Sequence, residues 1–538
     1  MGGDSLNYRS IIEHAWTALF NDTIMNTHTV ILDKLRHSVV HPTLRTFLFY
    51  AIIALILIKA MGYSGGKGID ILFIALTLLL LSIHSLTRYG LIIPFILLCA
   101  LYAPVGAIYG SPSAVVVSAL LQSNPIEARE FLQTLPVSCY LLPVAILVTP
   151  VILGRFIWRY PLSKKTILTA LALLTVIIIA RAFSGGLSNL RLPDFFLSTY
   201  SAYHQYQQQI DELNTDASAP NRWSLSAGAP TNENYVIIVG ESMRRDHMSL
   251  FGYPVSTTPF LDNAKGRFYS NYISTAPNTF ESLPRTLALS NGHNITLGDN
   301  LITLAKAAGL NTHWLSNQGM FGQFDTPVSK IAMFSDSHYF LKKGDYQSRN
   351  TDDDALLPIF DQLLSRQGQG NLYVLHLMGS HADFCERLNG EPPSVESPNK
   401  ELACYLSTYR KTDRFIEQVY QSLKQTGAPF KLFYFSDHGL SHKDIGGTRS
   451  LRHSGDTRQN YQVPLLVLSD RDQQHQIIDD PMSAFDFIGL FAQEAGIRVA
   501  HPEVMPTMRM ADTDKRWVFD GQRRVDFDQL ADDPPELP

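Results

Sequence analysis

The stretch KLFYFSDHGL, Lys431 to Leu440, is an apolar strand pattern that closes on an acid, an imidazole and a glycine. Asp437 and His438 are costly to bury unless a charged partner meets them; a metal ion would, and a polar turn would also account for the triplet. The pattern recurs. Glu241 follows directly on the apolar run of Tyr235–Ser242, Asn317 closes Thr312–Asn317, and His381 closes Leu372–His381. One polar residue at a strand end is ordinarily a cap. Several strands that deliver carboxylates and imidazoles at one end form a constellation, because open α/β sheets bind ligands beyond the carboxyl ends of their strands. Asp437, His438 and Glu241 supply oxygen and nitrogen ligands suited to Zn²⁺, with Mn²⁺ the second choice.

A reacting group is offered by STAPNTFESLPRTLALS, Ser274–Ser290, where Asn278 and Thr279 stand at the expected start of a helix. A hydroxyl there sees the positive end of the helix dipole and free backbone N–H groups, which favour an alkoxide and a phosphate. The same residues also read as an ordinary cap. Two carboxylates and an alkoxide around one Zn²⁺ leave a net negative charge that would repel an anionic phosphodiester, so positive charge is needed nearby. His376, His381, His453 and Arg452 can supply it, directly or by holding a second zinc. His376 and His381 are an odd number of residues apart, which a strict strand would place on opposite faces; Gly379 implies that the chain has turned by then. His247 and His442 read as surface histidines.

These residues must be held by a domain, and the chain of 538 residues has room for more than one. Its net charge of −5 gives no sign of a nucleic-acid partner. The near-zero mean hydropathy conceals two unlike parts. Five runs before residue 183 are long enough to cross a bilayer, near Thr46–Met61, Ile69–Leu86, Leu91–Ile108, Leu135–Ile157 and Ile167–Ala182. Basic residues gather before the first run (Arg9, Lys34, Arg36, Arg45), in the second connection (Arg88) and in the fourth (Arg155, Arg159, Lys164, Lys165). The positive-inside rule then predicts a cytoplasmic N-terminus and puts everything after Arg181 across the membrane. Cys385 and Cys404 lie in one region rich in Pro, Ser, Asn and Glu, and an oxidising compartment would join them.

Beyond a polar stretch read as a linker, short apolar runs alternate with helical patterns, the signature of an α/β domain with a mainly parallel sheet. The expected organisation is a cytoplasmic segment 1–45, a five-helix membrane domain 46–183, a linker 184–234, a catalytic α/β domain 235–510 and a frayed acidic tail 511–538.

GESMRRDHMSLFGYPVSTTP (Gly240–Pro259), APNTFESLP, LHLMGSH, FSDHG and LRHSG, in this order after five apolar runs, resemble the phosphoethanolamine transferases of Gram-negative bacteria. That family belongs to the alkaline phosphatase and sulfatase superfamily. The resemblance, from about residue 46 to about 500, implies that Glu241, Thr279, Asp437 and His438 hold a catalytic zinc, with Thr279 as nucleophile. It implies that His376, His381 and His453 line the substrate phosphate or a second zinc. QSNPIEAREFL, Gln122–Leu132, is similar to the family's donor-lipid segment, with Glu127 meeting the ethanolamine ammonium and Ser123 nearby. Two departures stand out. Ala119 replaces an asparagine that some members carry, and Leu440 replaces a glutamate after the DHG, so headgroup contacts and acceptor recognition differ.

The expectation is an inner-membrane enzyme, acting as a monomer among membrane lipids, that moves phosphoethanolamine from phosphatidylethanolamine to lipid A, lipopolysaccharide core or a periplasmic glucan. A sulfatase fits poorly: its nucleophile needs Pro two and Arg four positions on, and Ser282 has Pro284 but Arg285 one position early. A phosphoglycerol transferase, or a non-catalytic envelope sensor or scaffold, are the other readings.

Overall fold

The computed structural model describes residues 42–538 apart from 123–124, 136, 159–161, 185, 217–220, 230–231, 293, 320–326, 343–350, 369, 446 and 501–515. The first 41 residues and Ser123 therefore lie outside the described residues. The chain divides into two compact units: the described parts of Met1–Lys59, Ser64–Ala100 and Val144–Pro193, and those of Ala60–Tyr63, Leu101–Pro143 and Asp194–Pro538.

All five apolar runs carry helix. Among the described residues, Ser85–Tyr109 and Lys164–Phe183 are long and apolar enough to cross a membrane, while Thr46–Ala60, Gly68–Leu81 and Ser138–Thr149 are shorter apolar helices. In the first unit, Gly68–Leu81 packs along Lys164–Phe183. The latter leaves Leu168, Leu171, Val176 and Ile179 exposed, as suits a helix facing an apolar solvent. Buried Asp70 takes the Lys67 N–H at 2.7 Å and the Arg191 N–H at 3.2 Å.

The second unit is built on one eight-stranded sheet. Its strands are β1 (Asn234–Gly240), β2 (Gly266–Tyr269), β3 (Asn311–Gly319), β4 (Ser337–Lys342), β5 (Asn371–His376), β6 (Phe430–Ser436), β7 (Leu465–Ser469) and β8 (His475–Ile478). They lie in the order β8-β2-β7-β6-β1-β5-β3-β4. The five from β6 to β4 are parallel, and β7 runs antiparallel to both β6 and β2. Central strands are apolar on both faces because both are covered. Tyr235, Ile237 and Val239 of β1 pack into one core with helices Thr279–Leu287 and Phe487–Glu494; Val236 and Ile238 pack into the other with Leu357–Gln367 and Lys400–Gln425. Register sets where the polar strand ends emerge. Gly240 pairs with Ser436, and Val239 with His376, so Glu241, Asp437 and the turn after His376 leave the sheet at one edge.

Three expectations need correction. The stretch read as a linker carries the helix Arg191–Asp216, which buries Phe195 and Ala202 and exposes Phe196, Leu197, Tyr200 and Tyr203. Its second half is rich in Gln, which forms helix without marking an apolar face. The tail is not frayed where it is described: Trp517–Phe519 pairs with Arg524–Asp526, and Phe527 is buried against Ile273, Tyr461 and Val518. His247 is buried among the rings of Tyr253, Tyr405 and Tyr409, and His442 is half-buried, its side chain covered against Asp533.

Candidate active site

Glu241 follows β1, Asp437 and His438 follow β6, and Thr279 is the first residue of the helix Thr279–Leu287. Asn278 caps that helix by accepting the Glu281 N–H at 3.0 Å, which leaves the Thr279 side chain at the positive end of the dipole. Thr279 Oγ1 lies 2.7 Å from Asp437 Oδ2, 3.0 Å from Glu241 Oε2 and 3.4 Å from His438 Nε2. Its one proton serves one of them at a time. The donor atoms of Glu241, Asp437 and His438 fall within 4.8 Å of one another, and all three residues are buried.

Neighbours fix these groups. Ser242, at a φ of 57°, gives its N–H to Asp437 Oδ1 at 3.1 Å and its hydroxyl to Glu241 Oε1 at 2.7 Å. The Ser282 hydroxyl donates to the Asp437 carbonyl at 2.6 Å. His438 Nδ1 donates to the Gly439 carbonyl at 2.8 Å, which presents the Nε2 lone pair to the cluster. Burial pushes the Asp437 carboxyl up to about 7, and the charge of Glu241 adds to it. Burial would raise Glu241 as well, but the hydrogen bond and charge of His438 hold it below the usual carboxylate range. Against burial, Asp437 and Glu241 hold the His438 imidazolium up to about 9. Two buried carboxylates, an imidazole and a hydroxyl at these separations are a donor set that fits a zinc ion.

His376 and His453 stand at the same end of the sheet. Burial pushes His376 down to about 4 although Glu241 opposes it; His453 falls to about 3 through burial and then the charge of His438. His376 Nε2 and His453 Nδ1 are buried without a hydrogen-bond partner, and the rings of His453 and His438 are 4.8 Å apart. His381 is half-buried, and its charge acts on both Glu241 and His453.

Two predicted residues go elsewhere. Arg452 pairs with Glu401 at 2.9 Å and donates to the Leu451 carbonyl. Asn317 donates to Asp353 Oδ1 at 2.7 Å, and Asp353 in turn takes the N–H groups of Met378 and Gly379 at 2.7 and 2.9 Å. Asn317 thus acts on the turn before His381 rather than on the cluster. Glu127 falls on the helix Pro125–Thr134, its side chain outside the described residues. Cys385 and Cys404 are bonded. Ser242, Asp353 and the supporting role of Ser282 were missed: Ser242 carried a signal in its place beside Glu241 and Ser282 in its place one turn after Thr279, whereas Asp353 is joined to the site only by the fold.

The sulfatase family model matches residues 233–497. The chain is 31% identical over 503 residues to the phosphoethanolamine transferase OpgE of Escherichia coli K12, covering 90% of this chain and 95% of that one. It is 34% identical over 388 residues to a putative phosphoethanolamine transferase of Haemophilus influenzae, 69% of this chain and 78% of the relative. Among solved structures, the integral membrane lipooligosaccharide phosphoethanolamine transferase A of Neisseria meningitidis aligns over 85% of this chain and 95% of its own. The TM-score is 0.62 at 17% identity, a likeness of fold.

Proposed function

We propose that this chain, which belongs to the phosphoethanolamine transferase family, moves phosphoethanolamine from phosphatidylethanolamine to an envelope glycan, with Thr279 as the nucleophile. The observation that carries the reading is the Thr279 hydroxyl, set at a helix start within hydrogen-bond reach of two buried carboxylates. Glu241, Asp437, His438 and Thr279 would hold zinc, whose charge lowers the pKa of a bound hydroxyl and offsets the carboxylates. Thr279 Oγ1 attacks phosphorus, giving up a proton that the leaving group takes. The bond from phosphorus to the glyceride oxygen breaks, and diacylglycerol leaves with that proton. Thr279 then carries phosphoethanolamine until an acceptor oxygen displaces it. The unpartnered nitrogens of His376 and His453 are available to the phosphate or a second zinc, and the charge of His381 offsets its oxygens.

The acceptor belongs to the class of lipid A, lipopolysaccharide core or periplasmic glucan; a 25% identical relative in Salmonella typhimurium is named a Kdo(2)-lipid A phosphoethanolamine transferase. Five crossings put the catalytic unit in the periplasm of the inner membrane, with Glu127 and Ser123 on the donor headgroup. The test is intact-mass analysis of the protein incubated with phosphatidylethanolamine and no acceptor, beside a sample given phosphatidylglycerol. A phosphoethanolamine adduct mapping to Thr279 is expected. A phosphoglycerol adduct instead would overturn the donor, and an adduct elsewhere would overturn the nucleophile.

A further inference from the structure

We propose that the C-terminal segment Phe527–Pro538 is a clasp whose Asp533 is a positioning residue, locking together the two loops that carry the metal-ligating side chains. The inference rests on the reading of Glu241, Asp437 and His438 as those ligands. The first loop continues from Glu241 through Ser242 to Arg244, whose side chain is fully buried. Its guanidinium donates to Asp533 Oδ2 at 2.7 Å and to the Asp533 carbonyl at 2.6 Å, with Asp246 on its other side at 2.6 and 2.9 Å. The second loop continues from Asp437 through Leu440 to His442. The His442 N–H reaches Asp533 Oδ2 at 2.8 Å and its Nδ1 lies 3.0 Å away, while Arg449 meets Oδ1 at 3.2 Å. Arg244 closes the ring by donating to the Leu440 carbonyl at 3.3 Å.

The clasp is itself held. Ala531 exchanges backbone bonds with Asp456 and Arg458, Asp533 gives its N–H to Gln459, and Tyr253 donates to the Glu536 carbonyl at 2.6 Å. Gln459 also backs Gly439: a Cβ there would fall 2.1 Å from the Gln459 carbonyl. One carboxylate 289 residues from Arg244 and 91 from His442 therefore sets the spacing between Ser242, whose N–H orients Asp437, and the Asp437–His438 pair. A buried guanidinium that loses one of its carboxylates must move or take up water, and Glu241 is three residues away on the same loop. The segment lies beyond residue 497, where the sulfatase family match ends.

The experiment uses the full-length protein with Asp533→Ala, Asp533→Asn and, as a control on the same segment, Asp528→Ala. Amide hydrogen exchange is read at Ser242–Arg244 and His438–Leu440 in the zinc-free protein, and zinc release to a chelator in the loaded one. Asp533→Ala should speed exchange at both loops and zinc release by about tenfold or more, and lower kcat while KM for the donor lipid holds. Asp533→Asn, which keeps an acceptor oxygen and nearly the same shape, should fall between, and it decides the matter if the alanine variant does not fold. Asp528→Ala should match wild type. Wild-type exchange and zinc release in Asp533→Asn and Asp533→Ala would overturn the clasp. Loosened loops in a protein whose wild type never takes zinc would instead overturn the ligand assignment and leave the clasp standing.

Discussion

Thr279→Ala removes the attacking oxygen and leaves Glu241, Asp437 and His438 in place, so the protein should fold, bind zinc and lose transfer by at least about 10⁴-fold. Thr279→Ser keeps a hydroxyl of the same donor and acceptor capacity and should retain part of the rate. Asp437→Ala should lose zinc together with turnover, and chelation of wild type should do the same, reversibly on adding zinc. Metal content measured beside activity separates these outcomes; wild-type transfer by Thr279→Ala would reduce Thr279 to a helix cap. The buried cluster of Glu241, Asp437 and His438 was legible because apolar strands that end in carboxylates and an imidazole break a pattern that burial should preserve. Arg452 misled for the converse reason. A lone arginine beside a histidine reads as positive charge for a phosphate, and nothing local reveals that Glu401, 51 residues away on the helix Lys400–Gln425, already takes it. His247 and His442 were misread alike: Asp246 beside His247 gives no sign that Tyr405 and Tyr409 bury the ring, and the Asp533 that meets His442 lies 91 residues away.

Between residues and fold, the turn after β5 carries the most constraint. Gly379 has a φ of +49°, and a Cβ there would lie 3.0 Å from the Glu241 nitrogen and 3.2 Å from its Cβ. Gly379→Ala should destabilise the protein by about 1–3 kcal/mol and, by displacing Glu241, reduce zinc retention more than the same loss of stability elsewhere. Thermal unfolding and zinc content on one sample check both. The Cys385–Cys404 bond predicts the opposite balance. It pins the start of helix Lys400–Gln425 to the loop before it, so replacing both cysteines by serine should cost about 3 kcal/mol with little change in turnover below the melting temperature. The strands β1, β3, β5, β6 and β7 were readable from apolar runs and the turn at Gly379 from the glycine itself, whereas the short or outer strands β2, β4 and β8 were not. The helix Arg191–Asp216 was not, because Tyr203, Tyr206 and Gln205–Gln209 present no clean apolar period, although Tyr206 packs against Phe280 beside the nucleophile.

At the scale of the whole molecule, the proposed chemistry requires that the catalytic unit share a compartment with the headgroups of the lipid it would consume and with the glycan it would modify. The apolar runs were legible as helices from length and composition alone. The count of crossings is a harder inference, since Thr46–Ala60, Gly68–Leu81 and Ser138–Thr149 are each shorter than a bilayer core demands of a straight helix. Charge predicts the direction: Arg88 and the group Arg155, Arg159, Lys164 and Lys165 fall in alternate connections, whereas the others carry only Lys67 and Arg129. Five crossings from a cytoplasmic start would leave Pro538 outside. A reporter that works only in the cytoplasm should be active when inserted at Ser163 and silent when fused after Pro538. The Cys385–Cys404 bond ties this to redox chemistry, because cytosolic thiols are kept reduced and this pair should resist alkylation in freshly isolated membranes. A strong cytoplasmic signal after Pro538, with both cysteines alkylated, would return the catalytic unit to the side where no envelope glycan is exposed and would remove the acceptor class with it.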